Sequence, residues 1–206
     1  MSGLFISFEG IDGAGKSTHI ESLAQALEAT GRIVVRTREP GGTPLAERLR
    51  QILLNEPMDA MSEALIAFAA RRNHVEHIIR PALQRHEVVL SDRFTDATFA
   101  YQGGGGGLDE DFLSILEQWV HLPLQPDITF WFDVSPEVAA ERLKGARLPD
   151  KFESQPQEYF AKVRAAYAAR MASDASRFVQ IDAHQSPQGV WEQVQTALVK
   201  RGLLAA

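Results

Sequence analysis

The stretch that most constrains this chain is Gly10-Ile11-Asp12-Gly13-Ala14-Gly15-Lys16-Ser17-Thr18. It satisfies G-x-x-x-x-G-K-[ST], a loop whose backbone N–H groups face phosphate while its lysine reaches the phosphate oxygens and its hydroxyl serves magnesium. Residues without a Cβ let the backbone turn through positive φ and approach an anion closely. The helix that follows adds the partial positive charge of its N-terminus. The flanks match what such a loop requires: Leu4-Phe5-Ile6-Ser7-Phe8 is a run of strand formers, and Ile20, Leu23, Ala24 and Leu27 recur at helical spacing. Strand, loop and helix in that order predict phosphate binding at the carboxyl end of a first strand.

The remaining chain repeats the alternation. Helical periodicity from about Lys16 ends at Gly31, and Ile33 to Thr37 supplies a second strand. The turn Arg38-Glu39-Pro40-Gly41-Gly42-Thr43 lies just past that strand's carboxyl end, where ligands bind in open parallel sheets. A helix from about Pro44 to Leu54 carries Arg48 and Arg50, and a long helix from Ser62 to about Ile79 is expected to stop before Pro81. Val88 to Asp92 is an apolar strand ending in a carboxylate, followed at once by Arg93. Both charges are thereby placed at the sheet edge beside the phosphate loop, the acid for magnesium or its waters and the arginine for phosphate. Gly103 to Gly107 read as a flexible linker ahead of a helix near Asp109 to Val120. Asp127 to Asp133 and Phe178 to Ile181 supply two more strands, with helices from Pro136, Pro156 and Pro187. Between them, 142–151 breaks periodicity and concentrates four cations, as either a solvated face or a lid over phosphates. Five strands alternating with helices predict an α/β fold: a P-loop NTPase-like five-stranded parallel sheet with helices on both faces. The 206 residues suit one domain, with a small lid segment at about 142–153.

Composition excludes several functions. The net charge of −6 repels nucleic acid and anionic membrane, so no nucleic-acid or membrane partner is expected. The absence of cysteine removes disulfides, thiol nucleophiles and cysteine zinc sites. The six histidines lack metal-ligand spacing and read as surface or helix residues. With no signal-like or membrane-length apolar run, a cytoplasmic protein is expected. A GTP switch would want Asn-Lys-x-Asp, which the chain lacks. A regulatory nucleotide-binding module would need no second pocket, whereas the aromatic, arginine and glycine-rich features at the carboxyl edge suit phosphoryl transfer to a small acceptor.

Six stretches carry a more specific signal: Phe8 to Thr18, Thr37-Arg-Glu-Pro-Gly-Gly-Thr43, Phe68-Ala-Ala-Arg71, Ser91-Asp-Arg-Phe94, Ala100-Tyr-Gln-Gly-Gly104 and Asp150-Lys-Phe-Glu153. In this order, spanning the chain, they resemble the successive signatures of bacterial thymidylate kinases. The resemblance implies a nucleoside monophosphate kinase fold, transfer of a phosphoryl group from ATP to dTMP giving dTDP and ADP, Mg²⁺, and a cytoplasmic homodimer. It implies that the loop residues Gly10, Ile11, Asp12, Gly13, Ala14, Gly15, Lys16, Ser17 and Thr18, with Arg142, hold ATP, and that Ser17 and Asp92 serve the metal. For dTMP it implies Asp12 near the sugar and phosphate, Glu39 and Pro40 in the pocket, Arg50 and Arg93 on the phosphate, Phe68 stacked on thymine, Thr98 and Gln102 around the base and Tyr101 behind the sugar. Arg71 would read the base's carbonyl edge, with Arg72 the competing candidate. Relatives place a catalytic arginine in the loop or in the lid. Position 13 is glycine here, so the charge falls to the lid: Arg147 first, with Arg142 and Lys151 beside it. Lys16, Asp12, Arg93, Arg147 and Lys151 form the expected catalytic set. Lys151 and Gly106 stand where many relatives carry arginine.

Overall fold

Leu4–Glu9 (β1) is the axis of the domain, and all six of its residues are buried. In the computed structural model, which describes residues 2–144 and 151–204, it is the middle of five parallel strands in the order β2-β3-β1-β4-β5. The others are Val34–Arg38 (β2), Val88–Asp92 (β3), Ile128–Asp133 (β4) and Phe178–Asp182 (β5). A strand covered on both faces reads as a nearly unbroken apolar run, which is why β1, β3 and β4 were legible while the half-exposed edge strand β2 was set one residue early. Leu4, Ile6 and Phe8 join the larger core under α1 (Lys16–Ala29), α8 (Gln157–Ser173) and α9 (Pro187–Lys200). Phe5 and Val89 face a second cluster on the opposite side, with Val75, Ile79 and Phe94.

The chain leaves β1 toward β2 on one side and later places β4 and β5 on the other, so the connections diverge beside β1. Open parallel sheets bind ligands at such a crevice. The β1–β3 register sets Phe8 against Asp92, and the Arg93 N–H donates to the Phe8 carbonyl at 2.9 Å. The two strand ends that carry the sequence signals are therefore neighbours.

Two expectations are corrected. The helix of residues 60–74 (α3, Ala60–His74) does not end before Pro81. It widens into a π turn over Val75–Ile79, where the Arg80 N–H donates to the Val75 carbonyl, and continues as α4 (Arg80–Gln84). The wider turn accommodates a residue that lacks an N–H and would crowd a regular α-turn. The glycine run is also no linker. After α5 (Thr95–Thr98), Phe99–Gly105 is itself a π-helical segment packed on α8. A Cβ on Gly104 would lie 2.5 Å from the Ala166 Cβ and 2.9 Å from the Lys162 carbonyl, so glycine here lets two helical backbones touch.

The remaining helices are α2 (Pro44–Asn55), α6 (Glu110–Val120) and α7 (Pro136–Leu143). Among the described residues no helix is long and apolar enough to cross a membrane. His19 and His74 lie on helices, as expected, yet both are buried, and so is His121 after α6. His74 bridges Glu39 Oε1 at 2.8 Å and Thr37 Oγ1 at 2.6 Å, so it stitches the turn after β2 to α3.

Candidate active site

The phosphate loop has the geometry its glycines foretell. Gly13 stands at φ 83°, and a Cβ there would fall 2.4 Å from the Ala139 carbonyl of α7. The first turn of α1 carries no acidic side chain, which leaves its N-terminal N–H groups and dipole free to favour an anion. Lys16 is buried beneath the loop, with Nζ donating to the carbonyls of Gly10 at 3.2 Å and Ile11 at 3.4 Å and lying 4.0 Å from Asp92 Oδ1. Burial, reinforced by the nearby Arg93 charge, holds its pKa below the ordinary lysine value.

Ser17 and Asp92 line one open concavity together with Thr37 and Arg38. Asp92 Oδ1 is buried and accepts no hydrogen bond. A hydroxyl and an under-coordinated carboxylate oxygen are hard ligands. They fit magnesium, which is held by one or two carboxylates and otherwise by water and substrate phosphate. No cluster of three or more acidic, histidine or cysteine ligands occurs among the described residues.

Arg93 is the hub between loop and cavity. Its backbone sits at φ 70°, a conformation non-glycine residues seldom adopt, and turns the side chain back over β1. Nη2 donates to the Gly10 carbonyl and to Asp12 Oδ1, both at 3.2 Å, and to the Tyr101 hydroxyl at 2.9 Å. Burial opposes the charge, but Asp12 first, with Tyr101, Tyr167 and Asp92, more than offsets it and raises the pKa well above the ordinary arginine value.

From Arg93 a partly open cavity runs away from the loop. Asp12, Arg50, Arg93 and Tyr101 occupy its loop end. Arg71, Thr98 and Gln102 supply polar groups deeper in, with apolar walls from Leu53, Leu54, Ala67 and Phe152. A few fixed polar groups between apolar walls suit a small-molecule ligand. Arg71 is 2 % exposed and fully oriented: Nε donates to Glu39 Oε2 at 2.7 Å, and Nη2 to the Phe94 carbonyl at 3.2 Å and Thr98 Oγ1 at 3.0 Å. Its Nη1 is buried with no partner. Burial alone would raise the Glu39 pKa, but Arg71 and His74 hold it below the usual carboxylate value. Arg50 donates to the Pro40 carbonyl at 3.0 Å, and burial together with Arg38 and Arg93 disfavours its charge, as befits a cation awaiting an anion.

Most expected site residues thus converge: Asp12, Glu39, Pro40, Arg50, Arg71, Arg93, Thr98, Tyr101 and Gln102 line one cavity. Phe68 does not. Its ring is buried with Ala64, Phe99 and Leu113 and lies parallel to His121, with Arg71 over its other side at 4.6 Å. Ala67, four residues before Arg71, takes the cavity face, and position 68 is rotated about 100° away. Of the two arginines, Arg71 lines the cavity, whereas exposed Arg72 donates to the Val120 carbonyl and pairs with Glu76. Lys151 does not stand at the loop either. It pairs with Glu63 at 2.8 Å and donates to the Glu56 carbonyl. Arg142 donates to the Ala183 carbonyl at 2.9 Å, beside the β5–α9 connection. Arg147 lies outside the described residues.

Sequence reading missed Glu9. It ends β1 fully buried, accepting from the Phe94 N–H at 2.7 Å and the Tyr167 hydroxyl at 2.9 Å, and so ties the Asp92-Arg93 turn to α8. Burial, aided by Asp96, pushes its pKa from 4.5 to about 8. The raised value means that the fold favours the protonated form, so the stability this group contributes is lost as pH rises from about 4.5 through about 8. Glu9→Gln is therefore expected to melt like the parent near pH 4 and to become the more stable of the two as pH rises, by on the order of several kcal/mol at pH 9. Equal melting of the two proteins at pH 9 would contradict this.

A phosphate loop, a cation hub and an adjoining cavity on one sheet edge define a P-loop kinase that phosphorylates a nucleoside monophosphate. The family model described as thymidylate kinase matches residues 8–194. A thymidylate kinase of Albidiferax ferrireducens is 57% identical, covering 98% of each chain, and one of Ralstonia nicotianae is 55% identical over 96% of this chain and 98% of its own. The crystal structure of thymidylate kinase from Ehrlichia chaffeensis superposes with a TM-score of 0.80 at 33% identity, covering 96% of this chain and all of that one. The chain belongs to the thymidylate kinase family, and its activity is the ATP-dependent phosphorylation of dTMP to dTDP.

Proposed function

We propose that dTMP occupies this cavity with its base toward Arg71 and its phosphate at Arg50 and Arg93, in line with an ATP whose β- and γ-phosphates lie in the 10–18 loop. The observation that carries this reading is the buried, unpartnered Nη1 of Arg71 at one end of a cavity whose other end is Arg93. An orphaned guanidinium donor is costly unless a ligand carbonyl completes it, and the O4 of thymine is such a group. Three arginines, Arg50, Arg71 and Arg93, face two carboxylates in the lining, and Glu39 is already consumed by Arg71 and His74. The excess positive charge therefore lies at the phosphate end.

Phosphoryl transfer proceeds through a loose transition state, so the chain's task is alignment and charge. Lys16 holds the donor phosphates, Arg93 and Arg50 hold the acceptor phosphate, and Asp12 fixes Arg93. Tyr101 backs the sugar and braces the same guanidinium. Ser17 and Asp92 would hold Mg²⁺, which when bound neutralises phosphate oxygens. Residues 142–153 serve as the lid, with Arg142 toward the nucleotide and Arg147 the remaining charge for the moving group. Lys151 is an anchor of this segment.

An ADP-release assay with ATP, magnesium and each of dTMP, dUMP, dCMP, dGMP and AMP tests the reading. dTMP is expected to be preferred, and dominant use of AMP or dCMP would overturn it.

The family resemblance to a homodimer has support on one side of the molecule. Leu45 and Ile52 of α2, Met61 and Leu65 of α3, and Ile115 and Trp119 of α6 expose apolar side chains at helical spacing, Trp119 to 82%. A tryptophan so placed suits the centre of an interface between two copies. Trp119→Asp is expected to weaken the dimer at least about thirtyfold in sedimentation equilibrium. A parent protein that sediments as a monomer at micromolar concentration would refute the dimer. The small-molecule cavity and the lack of cysteine support a cytoplasmic enzyme acting on free nucleotides.

A further inference from the structure

Glu63 lies on α3 two turns before Arg71, on the face that also presents Ala67 to the cavity. It is buried, and both its oxygens are committed. Oε2 accepts from Gln102 Nε2 at 3.0 Å, and Oε1 pairs with Lys151 Nζ at 2.8 Å. Gln102 lines the cavity at 4% exposure. An amide can point either end inward, and the partner of its outer end decides which. A carboxylate only accepts, so it captures the NH₂ group and leaves the Gln102 carbonyl oxygen as the end available to the cavity.

We propose that Glu63 is a specificity-determining residue: by holding the Gln102 NH₂ it presents an acceptor to the base, while Lys151 fixes its other oxygen. This rests on the reading that dTMP occupies the cavity. Thymine offers an N3–H donor where cytosine offers a bare acceptor nitrogen, so an inward carbonyl oxygen favours the first and repels the second. Arg71, which donates, reads the neighbouring carbonyl but does not fix the N3 position. A site built for a hydrogen bond rejects a ligand that leaves its groups unpaired far better than an apolar pocket rejects a shape.

The two partners of Glu63 make Glu63→Gln diagnostic. Charged donors form the stronger hydrogen bonds, so the new amide's oxygen stays with Lys151 and its NH₂ turns toward Gln102. Gln102 must then rotate, giving its oxygen to position 63 and its NH₂ to the cavity. Calorimetry and steady-state kinetics with dTMP and dCMP are expected to show dTMP affinity reduced about 10–100-fold and the dTMP-over-dCMP preference reduced at least about tenfold. The exchange variant Glu63→Gln/Gln102→Glu restores an inward acceptor and is expected to recover the preference, a readout independent of how stable the single variant is. Equal losses toward both acceptors, or no change in preference with unaltered melting, would overturn the proposal. So would an exchange variant that fails to recover the preference. A parent protein that does not bind dTMP at all would overturn this and the underlying site reading together, and that result is visible before any variant is made.

Discussion

Arg93→Met is expected to lower kcat by about 10³-fold while the protein still folds and binds ATP. The magnitude follows from the position. One guanidinium bridges the loop carbonyl of Gly10, the carboxylate of Asp12 and the hydroxyl of Tyr101, at the point where cavity and phosphate loop meet. In a dissociative transfer the charge spreads over the oxygens of the moving group, and an arginine aimed at them supplies on the order of 10³- to 10⁵-fold. Methionine keeps the volume and much of the contact with the Tyr101 ring, and the backbone at φ 70° is no worse for it than for arginine. Arg93→Lys should fall between the two, since it restores charge without the planar fork that spans several acceptors. Rates under saturating dTMP and ATP, set beside melting temperatures, separate loss of catalysis from loss of fold. A kcat within tenfold of the parent would remove Arg93 from the transfer step.

The parts of the fold and site that sequence made legible share a cause: each rests on a local rule. The phosphate loop needs positive φ and a helix N-terminus, and both lie within a dozen residues. The buried strands β1, β3 and β4 are apolar runs bounded by turns. Because β3 ends in Asp92-Arg93, placing the strand also places the charges.

What sequence left out depends on rotation and partnership. Phe68 carried the expectation of stacking because the resemblance implies it, but on α3 it is Ala67, one turn before Arg71, that lines the cavity, while Phe68 faces Phe99 and Leu113. The spacing was available in the sequence; which of the two helix faces meets the cavity was not. The run of glycines looked flexible because composition says nothing of a neighbour 60 residues away, and only the contact between Gly104 and Ala166 reveals it as a packing device. Lys151 looked like a lid charge for phosphate until Glu63, almost 90 residues earlier, was seen to hold it. Glu9 passed unnoticed for the same reason: its partners, Phe94 and Tyr167, come from distant elements.

Arg71 couples stability to recognition, and the two can be separated. Arg71→Met is expected to destabilise the protein by about 3–5 kcal/mol, because Glu39, itself nine-tenths or more buried, keeps its charge and loses its strongest partner. It is also expected to weaken dTMP binding about 100-fold, since the buried donor Nη1 disappears with the guanidinium. Adding Glu39→Gln removes the stranded charge while His74 and the amide can still hydrogen bond, so most of the stability should return. The dTMP affinity should not return, because neither methionine nor the new amide replaces the lost donor at the cavity wall. Arg72→Ala, one residue away but paired on the surface with Glu76, should leave melting within about 0.5 kcal/mol and dTMP affinity unchanged. Recovery of affinity along with stability in the double variant would mean that Arg71 serves only to neutralise Glu39, and the base would then have to be read from another wall of the cavity.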